Sequence, residues 1–217
     1  MKTMPHYKIV DYSYPTAGEL ARLILQYREI EYEDEKVDSP DRIYEAEEES
    51  PFGVLPVLYV DGKIVSQQQG ISRYLARELD LVGETNEEAA ICDMIMDGLG
   101  VMFSKMRGTH ISKLDVSQQV TLLKQMMQED VPRYLEKYEK FLENSNLSSG
   151  YFASEKLTWC DLGVALMLAG LQIRQPKLLE SHSKLRAFVE KVTSNPIVSH
   201  FIETELAQSA VIRKNSM

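Results

Sequence analysis

The 217-residue sequence is poor in the residues that build disulfide frameworks and metal centres. Its two cysteines, Cys92 and Cys160, are far apart and lack metal-ligand spacing, so we expect reduced thiols in a cytoplasmic protein. The four histidines form no i, i+4 pair, and no metal site is predicted. A phosphate-binding loop, a GxGxxG fingerprint and a G-x-S-x-G nucleophile elbow are also missing. These absences argue against a metalloenzyme, a nucleotide-binding enzyme and a serine hydrolase of that type.

Long hydrophobic runs are missing as well. No stretch approaches the roughly 18 apolar residues of a membrane span, and residues 1–5 do not resemble a signal peptide. Hydrophobic residues make up 44% of the chain and charged residues 26%, which is typical of a folded soluble protein. The net charge is −9, and no basic face of the kind that binds nucleic acid is visible. We therefore expect a globular protein that binds neither membranes nor nucleic acids.

The acidic residues are concentrated in one segment. Between residues 29 and 49, eleven acids stand against two bases, Lys36 and Arg42, and this excess equals the net charge of the whole chain. The simplest interpretation is a solvated helix face. A second is that this surface repels anionic ligands, and a third is that an acidic helix recruits partner proteins.

Short strand and helix patterns alternate in the first third of the chain. Residues 7–12 are rich in β-branched and aromatic side chains, and residues 16–28 follow with helical periodicity. Asp61-Gly62 separates two short apolar runs, which predicts a two-residue hairpin turn. The predicted order of elements is β-α-β-α-β-β-α.

From about residue 86 onwards the pattern is helical. An apolar stripe at i, i+3, i+4 spacing predicts a helix through Met102, and a second long helix is predicted over residues 117–142, bent at Pro132. Thr158 with Asp161 fits a capping box, and Asn195 followed by proline fits another helix start. The sequence thus predicts an α/β domain at residues 4–82 and an all-helical domain at residues 86–206.

Residues 51–58, followed by Gln67 and Gln68, form the most informative short pattern. Pro56 cannot donate to a sheet, and a cis bond before it would expose the Leu55 backbone to an extended peptide ligand. The two glutamines start a helix, whose free N–H groups and dipole favour a carboxylate. The pattern indicates a cradle for a small peptide, although a purely structural turn would look the same.

These segments together resemble the cytosolic glutathione S-transferases, and the sigma class in particular. The resemblance runs from Met4 to the helix at Asn195 and is carried by YED at 32–34, PFG at 51–53, LPVL at 55–58, VDG at 60–62, ISRYLAR at 71–77 and LTWCDL at 157–162. It implies a thioredoxin-like domain followed by a helical domain, and a homodimer. It also implies glutathione as thiol co-substrate, and conjugation or isomerisation of small apolar electrophiles in detoxification.

The resemblance also suggests where the sulfur of glutathione would be activated. Sigma-like enzymes place a tyrosine hydroxyl at the end of the first strand, and Asp11 occupies that position here. An ionised aspartate cannot donate a hydrogen bond and repels a thiolate. Tyr12 is the candidate catalytic residue, but it needs a bulge or a register slip because adjacent strand residues face opposite ways. Ser13 and Tyr14 are further candidates, and simple packing of Tyr12 in the strand is the alternative.

The remaining site residues follow from the same resemblance. The residues expected to bind glutathione are Arg42, Val54, Leu55, Pro56, Gln67 and Gln68. Several positions depart from the family pattern: Arg42 replaces a tryptophan, Gln68 a serine, Ala17 an arginine, and Gly100-Val101 an acidic residue of the partner subunit. The apolar co-substrate is expected near Met102, Phe103 and Met106. These departures predict weakened or altered activity, and the alternative is a non-catalytic dimer that binds ligands or has a structural role.

Overall fold

The computed structural model describes residues 4–13, 18–102 and 115–206. Its N-terminal part is built on a four-stranded mixed sheet with the strand order β2-β1-β3-β4. The strands are β1 (Tyr7–Tyr12), β2 (Tyr32–Val37), β3 (Val57–Val60) and β4 (Lys63–Ser66). β1 pairs in parallel with β2 and antiparallel with β3, and β4 completes the sheet as an antiparallel edge strand.

Three helices cover the two faces of this sheet, as the alternation of buried side chains requires. They are α1 (Glu19–Tyr27), α2 (Pro40–Glu49) and α3 (Gln68–Glu78). Tyr7 and Ile9 of β1 belong to the large core that includes α1 and α3. Val10, on the opposite face of β1, packs in a smaller cluster with Ala46 of α2. The order of elements is the predicted β-α-β-α-β-β-α.

The hairpin between β3 and β4 has the predicted turn. Asp61 and Gly62 both have positive φ, at 48° and 79°, which is the backbone twist of a two-residue turn between right-twisted strands. The Leu55–Pro56 peptide bond immediately before β3 is cis.

The rest of the described chain is helical. It contains α4 (Asn86–Met102), α5 (Val116–Gln125), α6 (Val131–Glu143), α7 (Trp159–Arg174), α8 (Ser183–Thr193) and α9 (Pro196–Phe201). The predicted helix over residues 117–142 is interrupted by a π-helical turn, Met126–Asp130, directly before Pro132. Proline has no N–H for the helical ladder, and Pro132 lies in the first turn of α6, where that N–H is not needed. None of the helices in the described ranges combines the length and apolarity that crossing a bilayer requires.

The start of α7 connects the helical part to the N-terminal part. The predicted capping box is present: the Asp161 carboxylate accepts hydrogen bonds from the Thr158 N–H at 2.8 Å and from the Phe152 N–H at 2.9 Å. The buried Trp159 donates its backbone N–H to Leu81 at 2.9 Å, and the Arg73 guanidinium of α3 lies 5.7 Å from its ring centroid. The predicted α/β and all-helical architecture is confirmed.

Candidate functional site

The residues expected to cradle a peptide lie side by side. Val57 pairs with Ser66 across the β3–β4 hairpin, which places Pro56 beside Gln67. Gln67 is the residue before α3, with φ at 70°, and its exposed side chain makes no capping hydrogen bond. The helix therefore starts with N–H groups that its own N-cap side chain does not satisfy. Leu55 is buried while Val54 is 40% exposed, so the chain segment before β3 combines an anchored side chain with an accessible surface.

Asp11 is held inside a cluster of charged side chains. Its Oδ1 accepts the backbone N–H of Tyr12 at 2.8 Å, and its Oδ2 lies 3.3 Å from Nη1 of the buried Arg22. Gly18 is packed so closely that a Cβ built there would lie 2.3 Å from the same Oδ2. The carboxylate is thus fixed toward α1, and the position that the resemblance assigns to a tyrosine carries an ion pair instead.

Arg22 is shared among three carboxylates. Besides Asp11, its guanidinium lies 3.1 Å from Glu19 and 2.9 Å from Asp34. Burial alone would lower the pKa of Arg22, but the hydrogen bond to Asp34 and the charges of the carboxylates raise it above its usual value. Burial also raises the pKa of Glu19, against the opposing effect of Arg22. The cluster therefore keeps Arg22 charged and Asp11 in the role of a hydrogen-bond acceptor.

Tyr12 faces the other side of the sheet. β1 and β2 pair in regular register up to Tyr12 and Val37, so the described strand has neither a bulge nor a slip at this point. The Tyr12 hydroxyl donates a hydrogen bond of 2.5 Å to Oε1 of Glu47 in α2. Its ring packs against the cluster that contains Leu55. The structure thus places Tyr12 next to the cradle, with its hydroxyl directed at α2.

Arg42 is surrounded by the protein's own carboxylates. Its Nε lies 2.6 Å from Glu35, and its Nη1 lies 3.6 Å from Glu45 and 3.9 Å from Glu49. The hydrogen bond to Glu35 raises the pKa of Arg42. Hydrogen bonds from Arg42 and from Lys8 in turn lower the pKa of Glu35 to about 2. Much of the positive charge of Arg42 is therefore neutralised before any anionic ligand arrives.

The other predicted site residues are distributed as follows. Gln68 is half-buried as the first residue of α3, and the exposed Ser13 donates its N–H to Val37 at 2.9 Å. Gly100 and Val101 lie in the last turn of α4, next to the buried Met102. The predicted residues Tyr14, Ala17, Phe103 and Met106 lie outside the described residues. No group of three or more His, Cys, Asp or Glu side chains in the described ranges is arranged to hold a metal ion.

Sequence reasoning missed two residues that shape this site. Arg22 lies among the periodic apolar residues of the first helix. A charged residue at such a position is the only feature of the sequence that could have indicated a buried ion pair. Glu47 was one of several acids in the second helix. Its contact with Tyr12 depends on how α2 is rotated against the sheet, which local patterns do not determine.

Comparison with known proteins decides the family. Residues 12–81 match the model of the glutathione S-transferase N-terminal domain, and residues 102–205 match that of the C-terminal domain. The chain is also 31% identical to glutathione S-transferase 1 of Ascaris suum over 202 residues, which cover 92% of this chain and 96% of the relative. The chain belongs to the glutathione S-transferase family.

Two further relatives extend the comparison within this glutathione S-transferase family. Human hematopoietic prostaglandin D synthase is 28% identical over 200 residues, covering 92% of this chain and 96% of the synthase. The solved structure of Na-GST-3 from the hookworm Necator americanus, described as monomeric, has a TM-score of 0.80 and 29% identity, and covers 92% of this chain and 97% of its own. The glutathione S-transferase fold predicted from the sequence is thereby confirmed.

Proposed function

We propose that this chain is a sigma-like glutathione S-transferase that binds glutathione and conjugates or isomerises small apolar electrophiles with weakened efficiency. Family membership and the relatives named as transferases and prostaglandin D synthase support the reaction class. The substitutions around the first strand and the second helix support the weakened activity.

The observation that carries the proposal is the juxtaposition of the Leu55 segment and the start of α3. Glutathione would lie along Val54, Leu55 and Pro56, pairing its backbone with that of Leu55. Its γ-glutamyl carboxylate would lie at Gln67 and Gln68, where the N–H groups and the positive end of the α3 dipole favour an anion.

The sulfur in this arrangement would lie near the end of β1. Asp11 is a hydrogen-bond acceptor engaged with Arg22 and does not stabilise a thiolate. Tyr12 remains the proposed hydroxyl, with Ser13 and Tyr14 as alternatives, but Tyr12 would reach the sulfur only after a rearrangement of the strand end, because β1 pairs in regular register up to this residue. Because the Tyr12 hydroxyl already donates to Glu47, we propose that thiol activation is poor in the resting protein.

The apolar co-substrate would bind against the helical domain around Met102, and the working unit would be a cytoplasmic homodimer without a metal cofactor. Arg42 would contribute little to glutathione binding, since three carboxylates surround it. Sedimentation equilibrium of the purified protein tests the dimer, because one solved relative is described as monomeric.

A second candidate function is a non-catalytic protein that keeps the fold and binds ligands or serves as a structural dimer. The burial of Asp11 in the Arg22 cluster favours it, because the position that would carry the activating hydroxyl now stabilises the fold.

Isothermal titration with reduced glutathione into the millimolar range, together with conjugation of 1-chloro-2,4-dinitrobenzene, separates the two functions. Saturable binding that Gln67→Ala weakens and Gln128→Ala leaves unchanged would support the cradle, since Gln128 is exposed in the π-helical turn before α6. Measurable conjugation that Tyr12→Phe changes would support the enzyme. Binding without conjugation would favour the second function, and absence of binding would contradict both uses of the cradle.

A further inference from the structure

The two ends of the proposed glutathione cradle differ in charge. We propose that this site prefers glutathione-type thiol peptides whose glycyl carboxylate is blocked as a neutral or cationic amide over glutathione itself. The inference rests on the proposed function, because it concerns a ligand that lies along Leu55 with its γ-glutamyl end at Gln67.

The first end of the cradle, at the start of α3, suits an anion. Pro56 lies beside Gln67 through the β3–β4 pairing, and the Gln67 side chain makes no capping hydrogen bond. The N–H groups of the first helical turn and the positive end of the helix dipole therefore favour a carboxylate here. In the proposed arrangement this is the γ-glutamyl carboxylate.

The second end of the cradle is the last turn of α2. Ser50, the C-cap residue of α2, donates its hydroxyl to the Val54 carbonyl oxygen at 2.7 Å. Ala46, one turn earlier, packs in the same buried cluster as Leu55. An extended tripeptide spans about 10 Å. A ligand that starts at Gln67 and pairs with Leu55 therefore brings its other end past Val54 to this turn.

This last turn of α2 is negatively charged. It contains Glu47, Glu48 and Glu49 and no base, and the C-terminal end of a helix also carries the negative end of the dipole. Glu47 is half-buried, and its carboxylate accepts the hydrogen bond from Tyr12, whose ring packs on the cluster that contains Leu55. At least one negative charge is therefore fixed beside the cradle.

The bases of the same acidic segment are already engaged. Residues 29–49 contain only two, Lys36 and Arg42. The Lys36 Nζ lies 2.9 Å from Glu205 Oε2, and the Arg42 Nε lies 2.6 Å from Glu35 Oε1. A carboxylate that reaches the last turn of α2 therefore meets three glutamates, and both bases of this segment are paired with other acids.

The glycyl carboxylate of glutathione is the group that this turn disfavours. Like charges a few ångströms apart near a protein surface repel each other by enough to change an affinity by about tenfold. Converting that carboxylate to an amide removes the repulsion, and an amide that carries an ammonium group replaces it with attraction. The ligand class that fits both ends is thus a γ-glutamyl thiol peptide amide, with a carboxylate at the γ-glutamyl end only.

Isothermal titration of the full-length protein with three thiols tests this preference. The ligands are reduced glutathione, its glycyl amide, and its glycyl amide with ethylenediamine. Each is measured at low ionic strength and in about 1 M NaCl, where charges more than about 3 Å apart are screened. At low ionic strength we expect the Kd of the simple amide to be about tenfold below that of glutathione, and the Kd of the ethylenediamine amide to be lower still. In the high salt the three Kd values should converge.

Two variants of Glu47 and one control connect the preference to the last turn of α2. Glu47→Gln removes one charge at constant size and should reduce the ratio of the glutathione Kd to the amide Kd by about threefold. Glu47→Lys should reverse the preference, so that glutathione binds more tightly than the ethylenediamine amide. Asp41→Asn is the matched control, because it removes one charge from an exposed position of the same helix, about 9 Å from Glu47 along the axis. It should keep the wild-type ratio.

Equal Kd values for glutathione and both amides in the wild type would overturn the inference alone. So would a preference that persists in the high salt, or one that Glu47→Gln and Asp41→Asn change to the same extent. Glu47→Gln keeps the test decisive if Glu47→Lys does not fold, because it preserves the size of the side chain. If none of the three thiols binds to the wild type, the proposed function fails and this inference fails with it.

Discussion

Arg22 and Asp11 form an ion pair, 3.3 Å from Nη1 to Oδ2, in which the side chains are 1% and 0% exposed. The pair joins the end of β1 to the first helix at the point where the proposed glutathione sulfur would lie. A buried charge is tolerated only when it is paired and hydrogen-bonded, so the position has become part of the stability of the fold.

Arg22→Met should destabilise the protein strongly. The substitution leaves Asp11 and Glu19 buried without the cation that faces both of them. We expect the free energy of unfolding, measured by urea denaturation, to fall by about 3–5 kcal/mol. Arg77→Met is the matched control, because Arg77 is exposed and has no ion pair in the part of the chain that the structure describes. A similar loss in both variants would contradict the importance of the cluster.

Gly18→Ala should also destabilise the protein, for a steric reason. The added Cβ would lie 2.3 Å from Asp11 Oδ2 and 3.2 Å from Arg22 Nη1, so the ion pair has to move. A loss of about 1–3 kcal/mol is expected in the same assay. Gly100→Ala in α4 has open space around the new methyl group and should be neutral or stabilising by up to about 1 kcal/mol. An equal change in the free energy of unfolding of the two variants would contradict this prediction.

Glu35 should contribute to the acid sensitivity of the protein. Hydrogen bonds from Arg42 and Lys8 lower its pKa to about 2 in the folded protein. Its stabilising effect is therefore present above the ordinary glutamate pKa and is lost as the pH falls through about 2. Urea denaturation of wild type and Glu35→Gln should show a larger difference at pH 6 than at pH 3. A difference that does not shrink on acidification would refute this, and Glu48→Gln should show no such trend.

Ionisation of Asp161 should make the protein less stable as the pH rises, which is the opposite of the effect expected from Glu35 and occurs in a higher pH range. Burial raises its pKa to about 6, although the hydrogen bonds from Phe152 and Thr158 oppose the rise. A folded-state pKa above the unfolded value gives stability that is full below about pH 4 and is lost as the pH rises through about 6.

Asp161→Asn should test this pH dependence. The variant should lose about 1–3 kcal/mol at pH 4, since an amide nitrogen cannot accept these hydrogen bonds. Its free energy of unfolding should then change less than that of the wild type between pH 4 and pH 7. Parallel curves for the two proteins would show that Asp161 does not titrate in this range.

The sequence predicted the features of this fold that depend on neighbouring residues. Asp61-Gly62 specifies its hairpin because both residues tolerate positive φ, and Asn195 specifies the start of α9 because its side chain accepts the N–H groups of the first turn. A bend at Pro132 was predicted, whereas the structure has a π-helical turn that ends just before this proline, a form of distortion that was not predicted. The missing N–H marks the place of a distortion without determining its form.

The geometry of the candidate site was much less predictable. Asp11 could be placed on a strand end by counting, but its pairing with Arg22 depends on how α1 packs on the sheet. The contact between Tyr12 and Glu47 likewise joins residues 35 positions apart. Such non-local contacts between polar side chains leave no periodic pattern in the sequence. The sequence could therefore name Tyr12 as a candidate and could not say where its hydroxyl would point.

The position of the single tryptophan gives the molecule an intrinsic optical reporter. Trp159 is fully buried at the start of α7, where its backbone N–H donates to the Leu81 carbonyl and the guanidinium of Arg73 in α3 lies near its ring. Its fluorescence should be blue-shifted in the native protein and should shift to the red when water enters the junction between the two parts of the chain. One emission spectrum can therefore follow separation of the domains without any added label.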